Sequence, residues 1–242
     1  MADRAEQTVP TVASIRRDLR RYLLATSDCP DAALEALWRN ADALLESGES
    51  IKQGDRTTIA RLEIDGHALI LKRSNRKGWF HTLIHAFMRS RARWSWINGR
   101  RLQREGIRTA APVAMLEERF GQIRLRSYLI TRAVDGTPLA DRIRDPNLTR
   151  ARASALAEAM HAIWKELERL RLGHGDMKAT NFLVDAEDRI HLIDLDGMRR
   201  HPRGPTFHRA HERDWRRLMK NFDDPAVNPA ARQALHDRFG KS

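Results

Sequence analysis

Apolar positions along the chain alternate between helical and strand-like spacing, and the switches predict its elements. Ile15, Leu19, Tyr22 and Leu23 follow the spacing of a short amphipathic helix; Ala33, Leu37, Ala41 and Leu44 predict a second, begun near Asp31. Residues up to about Thr11 carry no such pattern and read as disordered. Period-two alternation then predicts strands at 57–65 and 67–73 joined at Asp65-Gly66, and at 112–118 and 123–131 joined around Phe120-Gly121. Between the pairs, Trp79, Phe80, Leu83, Ile84, Phe87 and Met88 draw an aromatic-rich stripe along a helix, and another helix spans Ala92 to Gln103. Asp135-Gly136-Thr137-Pro138 breaks the pattern. Beyond it, Leu156, Met160, Ile163, Trp164, Leu167 and Leu170 predict a long buried helix. Trp215, Leu218 and Met219 mark a further helix, and Asn228-Pro229 starts a last one.

The pattern predicts an α+β fold whose first part is rich in antiparallel sheet and whose second is mostly helical. The expected divisions are an N-terminal helical extension over 1–48, a small lobe over 49–135 and a large lobe over 136–242, with a hinge near Thr131 to Asp135.

The chemistry concentrates in Gly173-His174-Gly175-Asp176-Met177-Lys178-Ala179-Thr180-Asn181 and in Ile193-Asp194-Leu195-Asp196, where Asp194 follows Asn181 by thirteen residues. Phosphoryl transfer asks a protein for placement and for charge facing the moving phosphate, and few residues supply both. Asp176 can orient an attacking hydroxyl, Lys178 can neutralise the phosphate, and Asn181 with Asp194 can hold Mg²⁺ on a nucleotide. Phe182-Leu183-Val184 leaves the loop as a strand, turns at Asp185 to Asp188, and returns through Ile190 to Ile193, which brings Asp194 back beside Asn181. Only seven of the 44 basic residues are Lys, yet Lys stands at 72 and 178, where a compact charge on phosphate is wanted. His174 is expected to brace the loop by hydrogen bonding, and Asp196 to assist the metal or cap a loop.

These residues resemble the lipopolysaccharide kinases of the Kdo/heptose kinase family, bacterial relatives of protein kinases and aminoglycoside phosphotransferases. The resemblance covers most of the chain. Lys52 to Leu62 is similar to the family's glycine-containing turn between strands, with Gly54 at its centre, and Asp65 to Arg73 is similar to the next strand with its nucleotide-binding Lys72. Gly106 to Ala114 and Ser127 to Arg132 resemble the turn after the first helix and the strand entering the hinge. The resemblance implies a bilobal, protein-kinase-like fold, ATP as donor, Asp176 as catalytic base, Asn181 and Asp194 as ligands of Mg²⁺, and Lys72 on the α- and β-phosphates. Asp214 resembles a helix residue that anchors the catalytic loop. The Gly54 turn has one glycine rather than three, and the helix from Ala92 to Gln103 has no acid to pair with Lys72. His-Gly-Asp replaces His-Arg-Asp, so the usual reader of an activation-loop phosphate is missing. Twenty residues separate Asp194 from Asp214, too few for a protein-docking segment, so the expected acceptor is a sugar of lipopolysaccharide core. A protein hydroxyl, a soluble small molecule, and a non-catalytic scaffold for anionic partners are the alternatives.

With 44 basic and 32 acidic residues the net charge is +12, which favours anionic partners and can also reflect genomic base composition. No nucleic-acid module is recognisable. The single Cys29 excludes an internal disulfide and points to a reducing compartment. The first residues lack the apolar core of a secretion signal, and no run of eighteen apolar residues occurs, so the expected location is the cytoplasm. The stripe from Trp79 to Met88, with Arg89, Arg91 and Arg93 after it, suggests peripheral contact with the anionic inner membrane, or packing against the small lobe.

Overall fold

The computed structural model describes residues 9–75, 89–120 and 123–239. The chain is α+β, with a seven-stranded antiparallel sheet and, among the described residues, six α-helices. It divides into two compact units, one formed by residues up to Gly106 with Ala110–Ala133, the other by Ile107–Thr109 with the chain from Val134 onward. The aromatic stripe from Trp79 to Met88 lies outside the described residues.

The first unit holds β1 (Val12–Arg17), β2 (Arg21–Thr26), α1 (Asp31–Glu46), β3 (Glu49–Lys52), β4 (Thr57–Ile64), β5 (His67–Ser74), α2 (Arg91–Arg104), β6 (Pro112–Phe120) and β7 (Ile123–Arg132). The strand order is β1-β2-β6-β7-β5-β4-β3. Asp65 (φ 51°) and Gly66 (φ 72°) take the left-handed conformation of a two-residue hairpin turn, so β4 and β5 pair in unbroken register from Thr57–Ser74 to Ile64–His67. The alternation in these strands has a partner on each face. Leu62, Leu69, Leu71, Leu116 and Ile130 pack with Leu34, Leu37 and Leu44 of α1. Met115 and Leu129 face the other way, against Ala92 and Trp96 of α2.

Residues 12–26 are a β-hairpin and not the helix that their spacing predicts. Leu23 and Ala25 enter the core beneath α1, while Tyr22 and Leu24 pack with the cluster beneath α2, so both faces of β2 are apolar and the alternation is hidden. Asp18 closes the turn by accepting the N–H groups of Arg20 and Arg21 at 2.7 and 2.6 Å, and Leu19 stands 93 % exposed at its tip. The expected helical extension is therefore a hairpin and a helix built into the sheet's own core. The second predicted helix is present as α1, broken at Asn40 (φ −158°, ψ 92°), whose Oδ1 accepts the Ala43 N–H at 3.1 Å and restarts it.

The second unit holds β8 (Gly136–Pro138), α3 (Leu139–Arg142), α4 (Arg150–Arg169), β9 (Leu172–Gly173), β10 (Phe182–Asp185), β11 (Ile190–Leu192), β12 (Arg199–Arg200), α5 (Gly204–Met219) and α6 (Pro229–Phe239). The predicted long helix is α4, capped by Thr149 on the Arg152 N–H, with Leu156, Met160 and Leu167 buried. The strand pair after Asn181 forms as read, with Phe182 opposite Leu192 and Val184 opposite Ile190, and β8 flanks it. The predicted C-terminal helices are α5 and α6.

Candidate active site

Between β9 and β10 the chain runs irregularly through His174 to Lys178 and then takes one 3-10 turn, Ala179–Asn181. Irregular backbone next to a core needs partners for its polar groups. Asp214, 3 % exposed on the inner side of α5, supplies them: its carboxylate accepts the N–H of His174 at 2.6 Å and of Gly175 at 3.0 Å. From the other side, the fully buried His174 ring spans the loop and the end of the hairpin. Its Nδ1 accepts the Asp176 N–H at 3.3 Å, which leaves Nε2 to donate to the Ile193 carbonyl at 3.2 Å. Burial pushes the imidazole pKa down, against the pull of Asp214 and the Ile193 carbonyl, so the ring is neutral and fixed in one tautomer.

Two glycines close the loop against the chain beyond Asp194. Gly175 has φ 82°, and a Cβ there would meet the Gly197 carbonyl oxygen at 2.8 Å. A Cβ on Gly197 would sit 3.1 Å from the His174 carbonyl oxygen. Only glycine at 175 satisfies both the angle and the approach. The same layer is tied below by Asn221, whose Oδ1 accepts the Ala179 N–H at 3.3 Å.

Asp176 stands at the open end of this frame, its side chain 38 % exposed. Lys178 Nζ lies 2.9 Å from Oδ2, and Arg217 Nη1 donates to Oδ1 at 2.9 Å and to the Gly175 carbonyl at 2.8 Å. Asn181 Nδ2 donates to the Asp176 carbonyl at 2.8 Å and to Oδ2 at 3.3 Å. Partial burial raises the carboxyl pKa, but the Lys178 ammonium, the Asn181 amide and the Arg217 guanidinium outweigh it and hold Asp176 below the usual carboxylate range. It is ionised at neutral pH.

The hairpin ties the remaining acid to this loop. Ile193 N–H donates to the Asn181 carbonyl at 2.9 Å, and Asp194 follows in the left-handed conformation (φ 59°, ψ 56°) that a non-glycine residue holds only under constraint. Asn181 and Asp194 are thus brought together at the mouth of the hairpin. With Nδ2 committed to Asp176, the Asn181 Oδ1 accepts no hydrogen bond among the described residues. An amide oxygen and a carboxylate are hard donors, and two of them with phosphate oxygens and water suit Mg²⁺ rather than zinc. Among the described residues no three or more His, Cys, Asp or Glu cluster as a metal cage.

The two other residues singled out in the sequence lie in the first unit. Lys72 is half-buried on β5 opposite Leu129 of β7, on the face of the sheet that α2 covers. Gly54 sits in the turn between β3 and β4, where its carbonyl accepts from Thr57 N–H at 3.3 Å and Asn75 Nδ2 at 3.0 Å. Room for a Cβ exists there, the nearest atom being the Thr57 oxygen at 3.5 Å.

Arg217 and Asn221 were not legible as site residues, because one Arg among many carries no signal and both act from about 40 positions away in sequence.

A carboxylate steadied by two cations, on a loop whose Asn181 is bonded through its carbonyl to the strand end that carries Asp194, is an arrangement suited to moving a phosphoryl group onto a hydroxyl. The lipopolysaccharide kinase (Kdo/WaaP) family model matches residues 35–239, and the chain belongs to that family. It is a kinase, and membership implies ATP as donor and a sugar or glycolipid as acceptor. No curated protein matches the chain. Among the described residues no helix is long and apolar enough to cross a membrane.

Proposed function

We propose that the protein transfers the γ-phosphate of ATP to a hydroxyl of a lipopolysaccharide core sugar, with Asp176 as general base. The fold is then read as protein-kinase-like, the first unit serving as the nucleotide lobe and the second as the catalytic lobe. The observation that carries the reading is the pinning of Asp176: buried anchors at His174 and Asp214 fix its backbone, while Lys178, Asn181 and Arg217 fix its carboxylate.

In this mechanism Asp176 accepts the hydroxyl proton as the acceptor oxygen bonds to the γ-phosphorus and the bond to the bridging oxygen breaks, releasing ADP. Lys178 exchanges its contact with Asp176 for the γ-phosphate oxygens, where charge accumulates. Lys72 is assigned to the α- and β-phosphates, and Gly54 to the nucleotide-binding turn. Asn181 and Asp194 would hold Mg²⁺, which when bound neutralises phosphate charge and fixes its geometry. No group on the protein is phosphorylated on the way, so the transfer is direct.

The test is a phosphate-transfer screen with Mg-ATP against core oligosaccharide, generic protein substrates and soluble aminoglycosides. Label in the oligosaccharide alone supports the reading. Label in the protein or aminoglycoside arm replaces the acceptor, and no transfer in any arm, with no Mg-ATP binding, leaves a scaffold.

A further inference from the structure

Helix α5 has two opposed faces, and the catalytic chemistry uses only one. Phe207, Ala210, Asp214 and Leu218 point inward and are buried. Arg209, Arg213, Arg216 and the C-cap residue Lys220 recur at steps of four, three and four residues on the opposite side, all four exposed. At 1.5 Å per residue this line runs about 16 Å. Of these cations only Arg216 has an acidic partner among the described residues, Glu212 at 2.6 Å. Glu212 and the buried Asp214 are the only acids of the helix. Arg217 flanks the same line and touches Asp176.

An exposed helix face with few neutralising acids holds a positive field that a flat anionic surface can meet along its whole length. We propose that this face of α5 docks the protein on the anionic headgroups of a membrane, so that the acceptor glycolipid is met at the loop the same helix supports. The idea rests on the glycolipid reading above and adds to it the surface through which the enzyme reaches its substrate. Asp214 grips His174 and Gly175 from inside the helix, so a docked α5 carries the loop to the surface as one piece. Arg217 lies between stripe and base.

The experiment is co-sedimentation of the full chain with phosphatidylcholine vesicles and with phosphatidylglycerol-rich vesicles. The variant is Arg209→Gln/Arg213→Gln/Arg216→Gln/Lys220→Gln. Its charge-matched control is Arg144→Gln/Arg150→Gln/Lys165→Gln/Arg169→Gln, on residues away from the stripe. Wild type and control should bind the anionic vesicles alone, more weakly as salt rises. The stripe variant should bind them at least about 30-fold more weakly, since each cation at an anionic surface contributes separately. Mg-ATP affinity at the wild-type level reports an intact fold, and the pair Arg209→Gln/Arg213→Gln, with half the charge removed, should show an intermediate loss.

Equal binding by stripe variant and wild type, equal loss in the control, or no binding by wild type overturns the proposal. So does loss of polyuridylate binding with vesicle binding intact, which would make the face a nucleic-acid surface. Transfer to a deacylated, water-soluble core oligosaccharide should be unchanged in the stripe variant, so docking can fail while the proposed reaction stands, and the reverse.

Discussion

Asp176 takes its properties from contacts that run up to 41 positions along the chain. The motif around it singled out the acid, the ammonium and the amide as candidates, because these lie within six residues of one another and their chemistry is local. What surrounds the motif was less legible. The bracing of the loop by His174 and its anchoring by Asp214 were foreseen and are present, yet the pairing of Arg217 with Asp176 depends on packing that no spacing announces. Gly175 gives a direct check on the frame. Gly175→Ala forces a side chain onto a positive φ and against the Gly197 carbonyl, so it should cost about 1–3 kcal/mol of stability and lower turnover with it. Thermal unfolding and initial rates measure this; wild-type values for both would show that the loop is not held as described.

At the scale of elements, the hairpin β10–β11 is short, and its turn carries much of its specification. Asp185 is 6 % exposed; Oδ1 accepts the N–H groups of Glu187 and Arg189 at 3.1 and 2.9 Å, and Oδ2 accepts from Arg189 Nε at 2.8 Å and His191 Nε2 at 2.9 Å. Burial raises the carboxyl pKa, but His191 and Arg189 overcome it and leave the group at about 2, against 3.8 unfolded. A lowered carboxylate adds stability above its unfolded value and loses it as pH falls through the folded one. Here the window lies between about pH 4 and pH 2, with on the order of 2 kcal/mol at stake. Urea unfolding at pH 7 and pH 3 should therefore show a smaller difference for Asp185→Asn than for wild type; the same difference in both would remove Asp185 from that role. This hairpin was legible because its pattern and its turn agree. The hairpin β1–β2 was not, since apolar residues on both faces of β2 mimic helical spacing and Leu19 at the turn completes the illusion.

For the whole molecule, family membership makes the chain a kinase, and each of the two compact units holds some of the candidate site residues. Lys72 and Gly54 lie in the first, and Asp176, Lys178, Asn181 and Asp194 in the second. Fold class followed from periodicity, while the size of the sheet did not, because the N-terminal strands join it through contacts distant in sequence. The surplus of positive charge gave no address by itself; the docking surface proposed above is drawn from its order along α5. The claim on which all of this rests is that Asp176 is the base. The measurement that reaches it most directly compares Asp176→Asn with wild type in Mg-ATP calorimetry and in single-turnover transfer to core oligosaccharide. The account predicts nucleotide affinity close to wild type and a transfer rate lower by about 10²–10⁴-fold, the contribution of a positioned base. Transfer by Asp176→Asn at the wild-type rate would contradict it.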